Sequence, residues 1–108
     1  MTQPTTAQAP GDAATASDLP LAGLRVIGLT NVLSGPYLEQ LFADMGAEVI
    51  RVERPGQGDD SRHIPPLLDG VSLTYLIANR NKKSVTLDLR HPRGVELLKR
   101  LIAQADVC

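Results

Sequence analysis

Aromatic and cysteine residues are scarce in this chain, and both shortages limit the kinds of function and the cellular compartments that fit it. Among 108 residues there are no Trp, one Phe and two Tyr, which disfavours a surface that binds nucleic acid by stacking bases on aromatic rings. The one cysteine, Cys108, has no partner for an internal disulfide and is compatible with a reducing compartment. We therefore expect a cytoplasmic protein that does not bind nucleic acid.

Excess charge of either sign and long apolar runs are also absent. The formal net charge is -1, so the chain as a whole has no electrostatic attraction for nucleic acid or for an anionic membrane. No apolar run in the sequence approaches the ~20 residues that span a bilayer. The N-terminus lacks the basic and apolar regions of a secretory signal, and membrane partners are therefore not expected.

The first twenty residues differ in composition from the rest. Residues 1–20 consist mainly of Thr, Ala, Gln, Pro, Asp and Gly, with almost no large apolar side chain. Such a segment cannot bury enough surface to offset the entropy lost on ordering, so we predict a disordered leader at 1–20. The remaining residues, 21–108, leave room for one domain at most.

Short apolar runs and helical patterns alternate after residue 20. The run Arg25–Leu29 is bounded by turn residues, as in a buried parallel strand, and Gly35-Pro36 opens a helix after it. We predict strands near 25–30, 48–53 and 84–89, helices near 36–46 and 92–104, a short helix at 71–78, a long loop at 54–70 and the opening of a fourth strand at 106–108. This order indicates an α/β fold with a parallel sheet, the truncated start of a Rossmann-like large domain.

Three segments outline one ligand site. The first is Val32–Pro36, the second is Glu48–Gly56 with Arg54 directly after the second strand, and the third is Asn79–Leu89, a basic turn followed by a β-branched strand. At the carboxyl edge of an open α/β sheet, a guanidinium can bind phosphate or stack on adenine. Five cations around the third segment predict a cationic rim for an anionic ligand: Arg80, Lys82, Lys83, Arg90 and Arg93.

Other interpretations are open for several of these residues. Glu53 lies where a dehydrogenase holds its ribose-binding acid, but the first turn lacks the G-x-G-x-x-G fingerprint, which argues against nicotinamide dinucleotide binding. Ser34 also fits an ordinary helix N-cap. Leu87 and Leu89 would be sheet residues in any case, and a single arginine such as Arg54 is often a solvated surface residue.

The remaining polar residues predict neither a metal site nor a catalytic group. His91 precedes a helix-opening proline and is interpreted as a cap, and His63 has no cysteine or second histidine at metal-ligand spacing. Asp59 and Asp60 are adjacent and are interpreted as part of a solvated loop. Cys108 has no visible activating neighbour.

The three segments, in this order and at this spacing, resemble the start of the family III coenzyme A transferases, which include formyl-CoA transferases and 2-methylacyl-CoA racemases. The matching stretches are VLSGP at 32–36, ERPGQGD at 53–59 and NRNKKSVTLDL at 79–89, and the resemblance covers about residues 21–108. It implies that the pantetheine and thioester end of CoA contacts Val32, Leu33 and Ser34, and that Arg54 contacts the adenosine end. It also implies an adenine and phosphate pocket lined by Leu87, Asp88, Leu89 and Arg90.

The resemblance also implies a chemistry. In such transferases an aspartate is the nucleophile, and CoA passes between carboxylic acids through a mixed anhydride and an aspartyl-CoA thioester. In the racemases an acid–base pair moves the α-proton of a 2-methylacyl-CoA. These residues come after position 108, so we expect an N-terminal fragment of the CoA-binding domain without a catalytic residue.

The resemblance further implies that the full-length protein is a homodimeric CoA-transferase that acts on acyl-CoA and carboxylic acids without another cofactor. A racemase of the same fold and a non-catalytic nucleotide-binding α/β module are the alternatives.

Overall fold

A computed structural model of the protein describes residues 18–108. Most of the predicted leader, residues 1–17, lies outside the described residues, and residues 18–20 belong to a turn that leads into the first strand. The elements in chain order are β1 (Arg25–Gly28), α1 (Ser34–Asp44), β2 (Glu48–Glu53), a 3-10 turn (Asp60–His63), β3 (Leu67–Leu68), β4 (Val71–Ser72), α2 (Leu73–Asn79), β5 (Lys82–Thr86) and α3 (Pro92–Ile102).

The three longer strands form a parallel sheet in the order β1-β2-β5. Val26 is paired with Val49 across β1 and β2, and Val52 is paired with Val85 across β2 and β5. On the free side of β1, Val107 forms an isolated parallel bridge with Val26, which is where the predicted fourth strand begins. The predicted α/β fold and the parallel pairing of its strands are confirmed.

The apolar core lies between β1, β2 and α1. Its buried members are Val26, Ala43, Ala47 and Val49, and the half-buried Leu21, Leu24 and Phe42 pack against them. The two alanines leave little side-chain bulk between helix and sheet, so α1 packs close to the strands. In the part of the chain that the structure describes, no helix has the length and apolar character needed to cross a bilayer.

The third strand of the sheet begins and ends earlier than predicted. It runs over Lys82–Thr86 instead of 84–89, and its first two residues pair with Val49 and Ile50 of β2. In sequence, two adjacent lysines are typical of a turn. In the fold each lysine forms an ion pair with a carboxylate of another element: the Lys82 amine lies 3.0 Å from Glu39, and the Lys83 amine lies 2.6 Å from Glu48. Residues 87–91 therefore form the connection between β5 and α3.

Helix starts differ from the prediction in two places and agree in one. Helix α1 begins at Ser34 with Leu33 as its N-cap and no side-chain capping bond, so the interpretation of Ser34 as the cap is wrong. Helix α2 begins at Leu73, because the preceding two residues pair in a short antiparallel hairpin. His91 caps α3 as predicted, since its Nδ1 accepts a hydrogen bond from the amide of Arg93 at 3.1 Å.

Candidate functional site

A cleft of about 520 Å³ opens at the carboxyl ends of β1, β2 and β5. Its walls come from the turn after β1, from the end of β2 with the loop that follows it, and from the turn after β5. Parallel strands end at one edge of the sheet, so residues distant in sequence meet there, as in other open α/β sheets that bind ligands at this edge.

Five of the eight predicted site residues line this cleft: Arg54, Leu87, Asp88, Leu89 and Arg90. The cleft wall takes Leu29, Thr30 and Asn31 from the first turn, whereas the predicted Val32, Leu33 and Ser34 follow directly after them and are not among the lining residues. The structure thus brings the second and third segments to one cleft and places the first beside it. Ligand contact stays a prediction for all eight.

Arg54 lies on the rim of the cleft. Its side chain is 52% exposed and forms an ion pair with Asp60. Asp60 also accepts a hydrogen bond from Asn31 Nδ2 at 2.8 Å, and these two donors, Asn31 first and then Arg54, hold the pKa of its carboxyl below the ordinary value. The first turn and the Arg54 loop are thereby joined across the rim.

The turn after β5 is fixed by its own hydrogen bonds and by close contact with α3. Asp88 Oδ1 accepts from the amide of Arg90 at 3.0 Å and from its Nε at 3.1 Å, which lowers the pKa of Asp88. A Cβ at Gly94 would stand 2.0 Å from the carbonyl oxygen of Asp88. Only glycine lets the first turn of α3 lie this close to the cleft wall.

The predicted rim of five cations is wrong. Arg80, Lys82 and Lys83 lie at or before the start of β5 and are not among the residues that line the cleft. Arg80 and Lys83 form ion pairs with Asp44 and Glu48 at the opposite edge of the sheet, and the Lys82 amine is buried against Glu39 of α1. Of the five cations only Arg90 lines the cleft, where its side chain is largely exposed. The cations that line the cleft are therefore Arg51, Arg54 and Arg90, and Arg51 is buried in the protein.

Arg51 was missed by the sequence analysis. It lies in the central strand with 2% exposure, and its guanidinium donates to Asn79 Oδ1, to Asp59 Oδ2 and, at 3.3 Å, to the carbonyl oxygen of Thr30. The signal was a charged residue inside the run EVIRVE. Because a central parallel strand is covered on both faces, such a charge must be paired.

Asp59 is the partner of Arg51 and is 3% exposed, so its interpretation as part of a solvated loop is wrong. It accepts from the amide and the hydroxyl of Ser61 at 2.7 and 2.6 Å and from the amide of Val32 at 3.3 Å. Burial by itself raises the pKa of Asp59, but the bonds from Ser61 and Arg51 outweigh burial and hold that pKa below the ordinary value. Asp59 is therefore an anion that ties the loop to the first turn.

Glu53 accepts hydrogen bonds from the loop after β2 and from β5. Arg62 donates to its two oxygens at 2.8 and 2.7 Å, Ser84 donates at 2.6 Å and the amide of Asp59 donates at 2.8 Å. These bonds, with Arg62 first, hold the pKa of Glu53 far below its ordinary value despite burial. Both oxygens of Glu53 are therefore engaged within the protein.

Within residues 18–108, no three His, Cys, Asp or Glu side chains converge in a way that would hold a metal ion. The site therefore consists of a cleft with an apolar and cationic wall above a buried set of ion pairs.

These features define an α/β domain with a ligand cleft at the carboxyl edge of a parallel sheet. The sequence model of CoA-transferase family III matches residues 21–108. The chain belongs to CoA-transferase family III.

Relatives and solved structures agree with this assignment. The chain is 49% identical over 89 residues to succinyl-CoA:glutarate CoA-transferase of Mus musculus, a match that covers 82% of this chain and 20% of the relative. It is 46% identical to formyl-CoA:oxalate CoA-transferase of Bradyrhizobium diazoefficiens, over 81% of this chain and 21% of that one. A crystal structure of a CAIB/BAIF family protein from Brucella suis superposes with a TM-score of 0.76 at 42% identity, covering 82% of this chain and 25% of that one. The chain spans about a fifth of the length of the curated relatives it matches.

Proposed function

We propose that this chain forms the CoA-binding edge of a CoA-transferase that moves CoA between carboxylic acids. The observation that carries the proposal is the single cleft that brings Arg54 together with the turn 87–90, two segments that come from different strands. Family membership supplies the reaction class, and the cleft supplies a place for the nucleotide end of the substrate.

The cleft suits that end of CoA in size and in chemistry. Its volume of about 520 Å³ lies within the ~300–1,000 Å³ that ligand pockets occupy. Leu29 and Leu89 line it with side chains more than a third exposed, an apolar surface against which an adenine ring can lie. Arg54 and Arg90 supply exposed guanidinium groups for the 3′-phosphate and the diphosphate of CoA.

The carboxylates of the cleft wall already accept hydrogen bonds from the protein. Glu53 and Asp59 are buried and accept several hydrogen bonds each, and Asp88 accepts two from Arg90. None of them is poised to attack a thioester, so we propose that this chain binds and orients the substrate while the nucleophilic aspartate lies beyond residue 108.

In the proposed mechanism that aspartate attacks the thioester carbonyl of the donor, and the CoA thiolate leaves to give a mixed anhydride. The thiolate then attacks the aspartyl carbonyl, which releases the donor acid as its carboxylate and leaves an aspartyl-CoA thioester. The acceptor carboxylate attacks that thioester and forms the second anhydride, and the returning thiolate attacks its acceptor carbonyl. The products are the new acyl-CoA and the free aspartate.

The names of two relatives pair succinyl-CoA with glutarate and formyl-CoA with oxalate. Both acceptors are dicarboxylates, so we propose a dicarboxylate as the acceptor here as well. The homodimeric state of the complete protein and the racemase alternative stay predictions.

The test is a transfer assay with the complete protein. It is incubated with succinyl-CoA and each of glutarate, malate and oxalate, and the new acyl-CoA is identified by mass spectrometry. The proposal expects transfer to at least one dicarboxylate. Absence of any transfer, together with deuterium uptake at the α-carbon of a 2-methylacyl-CoA in heavy water, would replace it with the racemase.

A further inference from the structure

A connected set of buried polar side chains lies beneath the turn after β1. Its members come from four elements and the loop after β2: Glu39, Arg51, Asp59, Asn79 and Lys82. Each of them is less than a tenth exposed at its side chain or as a whole residue. Buried ionic groups are costly to desolvate, so a set of this size in a small domain calls for a role.

The members are joined in one continuous chain of hydrogen bonds. Lys82 Nζ donates to Glu39 Oε2 at 3.0 Å and to Asn79 Oδ1 at 2.9 Å. The same Asn79 oxygen accepts from Arg51, whose other terminal nitrogen donates to Asp59. Burial lowers the pKa of Lys82, and the bond with Glu39 opposes that effect.

Both ends of this chain of bonds terminate on the first turn. At one end Glu39 Oε1 accepts from the hydroxyl of Thr30 at 2.5 Å. At the other end Asp59 accepts from the amide of Val32 at 3.3 Å, and Arg51 donates to the carbonyl oxygen of Thr30 at 3.3 Å. The turn is therefore held from two sides by side chains that are far apart in sequence.

The backbone of that turn requires such support. Val32 has φ of 67°, in the left-handed region that β-branched residues avoid because Cβ crowds the backbone. Conformations of this kind persist only where the surroundings over-determine them, and they cluster at ligand sites. The amide of Val32 itself donates to Asp59 at 3.3 Å, so the buried network reaches the backbone of this residue directly.

Two glycines keep the space that the network occupies. A Cβ at Gly28 would stand 2.5 Å from the carboxylate of Glu39, and a Cβ at Gly35 would stand 2.3 Å from the side chain of Thr30. Neither glycine has a positive φ in the structure, so here the glycine serves close approach and not backbone freedom. The sequence is thus adapted to the network at positions outside it.

We propose that Asp59 and Arg51 are positioning residues, which hold the Val32 turn in the conformation that places the thioester end of CoA for reaction. The inference rests on the proposed function and on the expectation, implied by the family resemblance, that residues 32–34 contact that end of the substrate. Neither residue needs to touch the substrate. Arg54 and the turn 87–90 hold the nucleotide end, so loss of the Arg51–Asp59 pair reduces turnover and leaves CoA affinity nearly unchanged.

The test uses Asp59→Asn in the complete protein, with Glu96→Gln on the exposed side of α3 as the matched control. The amide keeps the size of the carboxylate and places an NH2 group or a neutral oxygen against Arg51. We expect kcat to fall at least tenfold while the Kd for CoA, measured by calorimetry, changes less than twofold. Hydrogen exchange should speed up in the peptide covering 29–37 and stay constant in the peptides covering Arg54 and residues 87–90.

A second pair of variants separates positioning from folding. Arg51→Lys keeps the cation beside Asp59 and should recover part of the turnover that Arg51→Met loses. An Asp59→Asn enzyme with kcat within twofold of wild type overturns the proposal, and so does unchanged exchange in the 29–37 peptide. A parallel fall of kcat, CoA affinity and thermal midpoint also overturns it, since a general loss of fold has that signature.

The proposed function fails separately, when wild-type protein transfers no CoA. The exchange measurement needs no turnover, so it decides the role of Asp59 in holding the turn in either case.

Discussion

Arg51 and Asp59 form a buried ion pair that joins the central strand of the sheet to the loop after it. The pair lies directly behind the cleft, and both residues also line it. Asp59 accepts a hydrogen bond from the amide of Val32, and Arg51 donates one to the carbonyl oxygen of Thr30. The pair therefore connects the loop after β2 to the first turn. The contribution of this pair to the free energy of unfolding can be measured directly.

Asp59→Ala should destabilise the protein by about 3–5 kcal/mol, the usual cost of leaving one charge of a buried pair without its partner. The variant also leaves the amide of Ser61 without its acceptor. The midpoint of urea unfolding at pH 7 gives the measurement. Glu96→Ala, at an exposed position of α3, is the control for loss of a carboxylate, and an equal effect from both variants would contradict the prediction.

Glu53 should make the free energy of unfolding depend on pH. Its pKa in the fold lies below the value of ~4.3 in an unfolded chain, so the unfolded state binds its proton first as pH falls. The stabilisation is complete above about pH 4.3 and is lost progressively below it, toward the folded pKa. The difference in unfolding free energy between wild type and Glu53→Gln should be constant from pH 7 to 5 and shrink from pH 4.3 to 3.

Glu96→Gln gives the baseline for that titration, because Glu96 is exposed on α3. A Glu53→Gln difference that follows the Glu96→Gln difference across this range would mean that Glu53 has no depressed pKa.

Gly94→Ala should weaken CoA binding although Gly94 does not line the cleft. The added methyl group would meet the carbonyl oxygen of Asp88 at 2.0 Å, a distance that forces the helix or the turn 87–90 to move. We expect the Kd for CoA to rise at least fivefold, as measured by calorimetry. Glu96→Ala on the same helix is the control, and equal affinity of the two variants would show that the turn does not hold the ligand.

The 108-residue chain alone should not transfer CoA. Its cleft carboxylates are engaged in hydrogen bonds, and Cys108 is exposed without an activating group in the described structure. Purified chain is incubated with succinyl-CoA and glutarate beside a heat-treated sample. Any glutaryl-CoA above the heated control would locate a nucleophile within these residues.

The parallel sheet could be predicted because apolar runs, turn residues and helical spacing all agree locally. The start of β5 could not, because Lys82 and Lys83 look like turn residues until Glu39 and Glu48 are placed beside them in space. In the fold the two lysines of this strand pair with acids 43 and 35 residues away. Local pattern carries no trace of those pairings.

The candidate site, like the sheet, could be predicted only in part. Arg54 and the residues 87–90 could be placed at one edge, since each follows a strand of a parallel sheet. Asp59 could not, because it looks like an ordinary loop charge in sequence. Arg51 stands out inside the run EVIRVE, but only the fold shows that Asp59 is its buried partner. The Val32 amide, in a residue with left-handed backbone, donates to Asp59, 27 residues further along the chain, and no local pattern predicts that bond.

The central claim is that the cleft binds CoA through Arg54, and calorimetry of the complete protein with CoA tests it most directly. Arg54→Ala should cost ~1.5–3 kcal/mol, the range of a charge-assisted hydrogen bond, or about a 10- to 150-fold rise in Kd. Arg54→Lys should recover part of this loss, since an ammonium keeps the charge but not the planar fork. Arg93→Ala, an exposed cation outside the cleft wall, should bind CoA like wild type. Equal CoA affinity for wild type and Arg54→Ala would contradict the account.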